Sequence, residues 1–174
     1  TLETRNVGIT KTLTPTGGVS IGKGGNNYAV TFVNDTTGVI TARPITVTAA
    51  TDTKVYDGAT SSAGTPTITA GSLAPVGGDT ASFTQTFDTR NVGTSKTLTP
   101  TGGVTDGNGG NNYAVTFVTD TTGVISARPI TVTASTDTKV YDGATSSAAT
   151  PTITAGSLAP VGGDTASFTQ TFDT

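Results

Sequence analysis

Several residue types are missing from this chain of 174 residues, and each absence excludes a kind of chemistry. It contains no cysteine, histidine, methionine or tryptophan. Without histidine and cysteine, the commonest ligands for zinc and copper are absent, and so are the residues of Ser-His-Asp and Cys-His catalysis. The absence of cysteine and methionine also removes the oxidation-prone side chains, which suits an extracellular protein that does not rely on disulfides.

Charged and apolar residues are both scarce. They make up 12% and 33% of the chain, against about 25% and about 45–50% in globular proteins. The net charge is −3 and the pI is about 4.6, so we expect neither nucleic acid nor an anionic membrane as a partner. No apolar run approaches the roughly 20 residues that span a bilayer, so membrane insertion is not expected.

Threonine takes up much of the missing share, with 43 residues in the chain. Its branched Cβ fits a pleated strand better than a helix. A disordered chain would have few β-branched residues and a high net charge, which is the opposite of this composition. We therefore expect an all-β protein.

The sequence repeats itself with a period of 85 residues. Residues 1–89 align with 86–174 without a gap, and 11 of the 89 positions differ. A fixed period is typical of a strung or stacked array. Proline in Ala42-Arg43-Pro44 joins two strand-like runs through a junction that we expect to be short and stiff. On this register 43–127 is one complete repeat, 1–42 is the C-terminal half of a preceding one, and 128–174 is the N-terminal half of the next.

Alternation of apolar and polar residues predicts six strands and no helix within 43–127. The expected strands are 45–48, 66–69, 81–87, 96–99, 113–118 and 123–125. The expected core is small and comprises Ile45, Val47, Tyr56, Ile68, Leu73, Phe83, Phe87, Leu98, Tyr113, Val115, Phe117, Val124 and Ile125. We expect small β-sandwich or β-grasp-like modules, strung head to tail as a rod.

A series of short motifs occurs in a distinctive order in the complete repeat. A strand at 43–48 is followed by Lys-Val-Tyr-Asp-Gly at 54–58, by Gly-Asp at 78–79, and by Asn-Val-Gly with a following lysine at 91–96. Asn-Tyr at 112–113 and a closing strand at 124–125 complete the series. This order resembles the YDG-type and MBG-type repeats of large bacterial surface proteins, many of them filamentous-haemagglutinin-like adhesins. The resemblance implies an extracellular, β-rich spacer, and it implies no ligand or binding residues.

The Lys-Val-Tyr-Asp-Gly string is the most distinctive motif, and it occurs twice. It could be a recognition site, but a strand end that turns at Asp-Gly, with a packed tyrosine, is favoured. The candidate structural residues are Lys54, Tyr56, Asp57, Gly58, Lys139, Tyr141, Asp142 and Gly143. The candidate junction residues are Arg43, Pro44, Arg128 and Pro129.

Metal, covalent and catalytic sites are weaker candidates. Asp106, Asn108 and Asn111 resemble an oxygen-rich calcium loop, but the counterpart at 21–27 carries Ile21 and Lys23, so a glycine turn is favoured and no metal is expected. A Lys–Asn isopeptide bond would need a buried acid beside a pair chosen from Lys54, Lys96, Asn91 and Asn112. The carboxylates Asp57, Asp79 and Asp88 lack an aromatic-lined cleft, so we expect no enzyme and no cofactor.

Three functions are open to such a chain. The first is a rigid extracellular stalk or spacer in a secreted bacterial surface adhesin or fibre. The second is a subunit of a self-assembling extracellular filament, in which the front half at 128–174 is completed by the back half at 1–42 of the next chain. The third is an adhesin module that binds a host or matrix glycan or protein. Neighbouring identical repeats are the expected partners in the first two.

Overall fold

A computed structural model of the chain describes residues 5–20 and 27–173. All the regular elements within these ranges are β-strands, which confirms the all-β expectation. In chain order the strands are β1 Gly8–Leu13, β2 Asp35–Ile40, β3 Arg43–Thr48, β4 Thr53–Val55, β5 Thr67–Ala70, β6 Thr80–Phe87, β7 Gly93–Thr105, β8 Tyr113–Val118, β9 Asp120–Ser126, β10 Thr131–Thr133 and β11 Thr152–Ala155.

The strands form several sheets. Strands β1 and β2 form an antiparallel pair, and so do β10 and β11. A three-stranded sheet has the order β5-β3-β8, and a four-stranded sheet has the order β4-β9-β7-β6. One of the sheets curls into a half-barrel. In the four-stranded sheet β4 runs parallel to β9, while β7 is antiparallel to β9.

The described residues group into two compact units, each of which draws on three stretches of the chain. The first comprises Thr1–Val47, Ile68–Ser82 and Gly102–Thr116. The second comprises Thr48–Thr67, Phe83–Thr101 and Phe117–Thr174. The repeat boundaries at Arg43 and Arg128 stay a prediction, and residues 1–4, 21–26 and 174 of the predicted pieces lie outside the described part of the chain.

All six strands expected in the complete repeat are present, and a seventh, β4, was missed. Strand β8 has the predicted bounds, whereas β7 extends well beyond the predicted 96–99. The prediction for β7 stopped at Pro100 and the glycines that follow it, because these residues interrupt the strand pattern. Strand β4 has three residues, too few to show an alternation, and its pairing partner β9 lies far along the chain.

The same β-bulge occurs in both copies of the repeat. Between the pairs Gly8↔Ile40 and Lys11↔Gly38, three steps along β1 oppose two along β2. Strands β7 and β9 repeat this 85 residues later, between Gly93↔Ile125 and Lys96↔Gly123. The residues inside the bulges, Thr10 and Ser95, have left-handed φ values of 62° and 57°. The second bulge turns Lys96 towards the interior, where it is buried.

The core is smaller than the sequence suggested. Ile45, Val47 and Tyr113 are buried in the first unit, and Ala49, Phe87, Leu98 and Ile125 form a cluster in the second. Tyr56 packs against that cluster and is partly buried. The placement of Phe117 in the core was wrong, because its side chain is 40% exposed. Its ring meets Phe83 edge-on at 6.1 Å, which leaves the outer part of the ring in solvent.

Candidate functional site

The two Lys-Val-Tyr-Asp-Gly loops are closed by their lysines. The ammonium group of Lys54 donates to Asp57 Oδ1 at 2.8 Å, to the Ala59 carbonyl at 2.8 Å and to the Ser61 carbonyl at 2.9 Å. It also lies 5.4 Å from the centre of the Phe87 ring. All three of its donors are therefore used, and the bond from Lys54 holds the pKa of Asp57 below its ordinary range.

The second loop has the same internal structure. Lys139 donates to Asp142 at 2.8 Å and to the Ala144 carbonyl at 2.6 Å, and it lies 5.5 Å from the centre of the Phe172 ring. In both copies the first residue of the motif therefore holds the loop shape, which leaves the tyrosine and the glycine to face outward.

Tyr56 and Gly58 meet the chain at residues 161–164, which belong to the next predicted repeat. Hydrogen bonding to the Asp164 carboxylate raises the pKa of the Tyr56 hydroxyl, and burial adds to this rise. Gly58 has φ of 84°, and a Cβ there would lie 1.6 Å from the Val161 carbonyl oxygen. Only glycine fits this close approach of two backbones.

Arg90 strengthens the same contact. Its Nη1 donates to the Gly162 carbonyl at 2.9 Å, and its Nη2 lies 3.8 Å from Asp164 Oδ1. A Cβ on Gly162 would lie 2.0 Å from Arg90 Nη1, so the guanidinium group occupies the space that a side chain would need. We call the contact of Arg90 with Gly162 and Asp164 the second clasp.

An equivalent contact, the first clasp, joins Arg5 to Gly77 and Asp79. Arg5 Nη2 lies 3.1 Å from Asp79 Oδ1 and 3.4 Å from the Gly77 carbonyl. It also donates to the Asp106 carbonyl at 3.2 Å. Each residue of this clasp has its counterpart in the second clasp 85 positions later. The chain therefore makes the same contact twice, at the interval of the repeat.

Tyr113 completes the first clasp from the partner side. Its hydroxyl donates to Asp79 Oδ2 at 2.7 Å and accepts from the Ala74 backbone N–H at 2.7 Å. Burial raises the pKa of Tyr113, and the bond to Asp79 adds to this rise. Both oxygens of the Asp79 carboxylate are therefore used, one by an arginine and the other by a tyrosine.

A cavity of about 330 Å³ lies beside the first clasp. Val7, Ile40 and Val76 provide apolar lining, and Asp79 and Tyr113 provide polar lining. Its volume is at the lower end of the range of small-molecule sites. These two polar groups already hydrogen-bond within the clasp.

The two predicted junctions are braced by their arginines. Arg43 donates from Nε to the Ser72 carbonyl at 2.6 Å and from Nη2 to Ser72 Oγ at 2.8 Å. Arg128 makes the same two bonds to Ser157, at 2.7 and 3.0 Å. Pro44 lies within β3, and two residues separate that strand from β2. The fork of the guanidinium group therefore ties each junction to a serine 29 residues later.

The oxygens of the candidate calcium loop are engaged by the loop itself. Asp106 Oδ1 accepts the backbone N–H groups of Asn108 and Gly110 at 2.7 and 2.8 Å, and Oδ2 accepts that of Asn112 at 2.9 Å. Burial raises the pKa of Asp106, but the three N–H groups outweigh it and lower the pKa overall. Asn111 donates its side-chain amide to the Asn108 carbonyl at 2.7 Å. In the described part of the chain no three His, Cys, Asp or Glu residues cluster as metal ligands would. Most of the counterpart loop, residues 21–26, lies outside the described residues.

The lysines considered for an isopeptide bond have other partners. Lys54 is held in its own loop, and Lys96 Nζ lies 2.8 Å from Asp88 Oδ1 and also contacts the Thr89 hydroxyl. The Asn112 side chain instead contacts Asn6 at 3.1 Å and the Val7 N–H at 2.8 Å.

The clasp arginines were missed by the sequence reasoning. The two halves of a clasp lie 74 residues apart, and the arginine stands just outside a strand. No local pattern indicates that pairing. The only available signal was the recurrence of both halves at the repeat interval.

Comparisons with known proteins give one match. A YDG domain is found at residues 41–123. Neither the curated proteins nor the solved structures contain a match to the chain. No helix in the described ranges has the length and apolar character needed to cross a membrane.

Proposed function

We propose that the YDG domain at residues 41–123 is one bead of a rigid extracellular stalk or spacer in a secreted bacterial surface adhesin or fibre. The clasp carries this proposal. An arginine of one repeat holds a Gly-Gly-Asp turn of the next, and the contact recurs in the same form after 85 residues. A contact that repeats with the sequence gives every step of an array the same geometry.

The state of the polar groups supports a structural role. In the described residues no buried side-chain nitrogen or oxygen lacks a hydrogen-bond partner. The motif lysines and Asp106 are fully engaged within their own loops. Such a domain needs no ligand to satisfy its interior, and internal satisfaction of this kind suits a spacer.

Small-angle scattering on arrays of two, four and six complete repeats, each starting at the Arg43 position, tests the stalk. We expect the maximum dimension to grow linearly with repeat number. The control replaces the arginine at the Arg90 position by alanine in every repeat, which removes the clasps. The control arrays should grow more slowly. A compact profile, or one typical of a random coil, in the unsubstituted arrays would contradict the proposal.

A second candidate function is self-assembly into a filament, and the exposed faces of the two partial repeats favour it. Leu13 is 57% exposed while its counterpart Leu98 is fully buried, and Val132 is 37% exposed while Val47 is fully buried. The back half at 1–42 and the front half at 128–174 each expose an apolar face that the complete repeat covers. Another chain could supply the missing half.

Sedimentation equilibrium of the 174-residue chain tests the filament. Association should increase with concentration and should be abolished by the double substitution Leu13→Lys and Val132→Lys. The control is Val76→Lys, because Val76 is exposed and lies outside both partial repeats. A chain that stays monomeric at high concentration would exclude this function and leave the stalk unaffected.

A further inference from the structure

One of the two Tyr-Asp-Gly loops is occupied. The backbone at Val161 and Gly162 passes so close to Gly58 that a Cβ there would lie 1.6 Å from the Val161 carbonyl oxygen and 3.3 Å from the Gly162 nitrogen. Arg90 holds the same turn through Gly162 and Asp164. The loop at 56–58 and Arg90 therefore form one surface, and the Val-Gly-Gly-Asp turn at 161–164 is what covers it.

The other loop has the same shape but is open. Lys139 and Asp142 hold it as Lys54 and Asp57 hold the first, with the same 2.8 Å contact. Gly143 has φ of 76°, close to the 84° of Gly58. A Cβ on Gly143 would meet no atom within 4 Å, and Tyr141 is 93% exposed. This surface is preformed and has no occupant in the described structure.

We propose that the Tyr-Asp-Gly loop of each repeat is a docking surface for the Val-Gly-Gly-Asp turn of the following repeat, and that Tyr141 and Gly143 form such a surface for a further copy. The partner is identified by the turn already seated on the first loop, since the two loops are identical from Lys54 to Ala63 and from Lys139 to Ala148. The inference rests on the proposed function, because it takes the partner to be another repeat.

The two clasps together show what a joint inside an array would contain. In the second clasp the turn carboxylate meets a tyrosine and an arginine of the preceding repeat, Tyr56 and Arg90. In the first clasp the carboxylate of Asp79 also accepts a bond from Tyr113 of its own repeat at 2.7 Å. Because the clasps are equivalent by the period of 85, a joint in an array would hold one carboxylate between two tyrosine hydroxyls and an arginine. Charge-assisted bonds of this kind fix orientation as well as affinity.

Acetylation of tyrosine hydroxyls by N-acetylimidazole, followed by mass spectrometry of tryptic peptides, tests the proposal. In the 174-residue chain Tyr141 should react fast and Tyr56 slowly. The residues Gly64 and Ala149 give the two tyrosine peptides different masses. Two longer chains are then compared. One adds a copy of residues 90–127, which completes the last repeat. The other adds a copy of residues 90–174, which also supplies a new Val-Gly-Gly-Asp turn.

We expect Tyr141 to stay fast in the shorter extension and to lose its fast reaction in the longer one, falling to the rate of Tyr56. Gly143→Ala in the longer chain should restore the fast reaction, because the added methyl group blocks the approach of the turn. Circular dichroism of Gly143→Ala in the 174-residue chain checks that the fold survives, since the methyl group meets nothing there.

Three results would overturn the docking proposal. Tyr141 could stay fast in both extensions, could already become slow in the shorter one, or could stay slow with Gly143→Ala. These results are distinguishable from a failure of the stalk. If Tyr141 becomes protected but the arrays are compact, the joint stands and the stalk is wrong. If the arrays grow linearly but Tyr141 stays reactive, the stalk stands and the joint is wrong.

Discussion

Gln85 is a polar residue in the interior whose role resembles that of a strand. Its side-chain oxygen accepts the Ala50 N–H at 2.8 Å, and its side-chain nitrogen donates to the Ala50 carbonyl at 2.7 Å and to Ser62 Oγ at 2.9 Å. The amide thus pairs with a backbone unit on both sides, as a neighbouring strand would. Gln170 makes the same three contacts with Ser135 and Ser147.

Replacing Gln85 by leucine should destabilise the fold by about 1–3 kcal/mol, because the Ala50 N–H and carbonyl lose their partners. Gln170→Leu is the matched control. Gln170 is more exposed than Gln85, which is 2% exposed, so water can replace its contacts and a smaller loss is expected. Urea unfolding of the two variants compares them, and equal losses would contradict this reasoning.

Leu98 and Leu13 are the same residue of the repeat in two environments. Leu98 is fully buried in the cluster with Phe87 and Ile125, and Leu13 is 57% exposed. Leu98→Ala should cost about 2–5 kcal/mol, since it leaves a cavity. Leu13→Ala should stay within about 0.5 kcal/mol of the unsubstituted chain. Thermal and urea unfolding measure both, and a large effect at Leu13 would show that its face is covered in solution.

At the scale of the strand, the bulge is the least expected feature. A left-handed φ is strained for any residue with a Cβ and most strained for a β-branched one. Thr10 and Ser95 nevertheless adopt it in both copies. The bulge at Ser95 turns Lys96 inward to its contact with Asp88. That position in the strand is therefore set by the lysine pocket rather than by the preference of the residue itself.

Glycine at these two positions should stabilise the chain by roughly 0.5–2 kcal/mol, because the strain removed exceeds the added entropy of the unfolded chain. Thr10→Gly should gain more than Ser95→Gly, since threonine is β-branched. Thr94→Gly is the control and should cost about 0.5–1 kcal/mol, because Thr94 lies outside the left-handed region. A loss of stability in both bulge variants would show that the left-handed conformation is not strained in solution.

The strands also show which parts of the fold the sequence could predict. Alternation over six residues was enough to place β8 at its bounds, and Phe83, Gln85 and Phe87 do share one face of β6. Strand β4 and both clasps could not be predicted in this way. Their partners lie about 70 residues away, and no pattern within a window of the sequence reports a contact at that distance.

At the scale of the whole molecule, the carboxylates share one behaviour. Asp52, Asp57, Asp106 and Asp137 each accept two or more bonds from backbone or side-chain donors. The pKa of every one is lowered, for Asp52 and Asp106 against the effect of burial and for Asp57 and Asp137 chiefly by a side-chain donor. A carboxyl group whose folded pKa is depressed stabilises the fold above its unfolded pKa of about 3.9, and this contribution is lost as the pH falls through the folded value.

The tyrosines set the opposite limit, since Tyr56 and Tyr113 have raised pKa values. Their contribution is fully present below the unfolded pKa of about 10 and is lost as the pH rises through the folded value. With no histidine in the chain, the stability from urea midpoints should be nearly flat between about pH 5 and pH 9 and should fall on both sides. Asp106→Asn should make the acid limb shallower, because one depressed carboxyl is removed. A stability that changes steadily across the neutral range would contradict this assignment, since none of these groups titrates there.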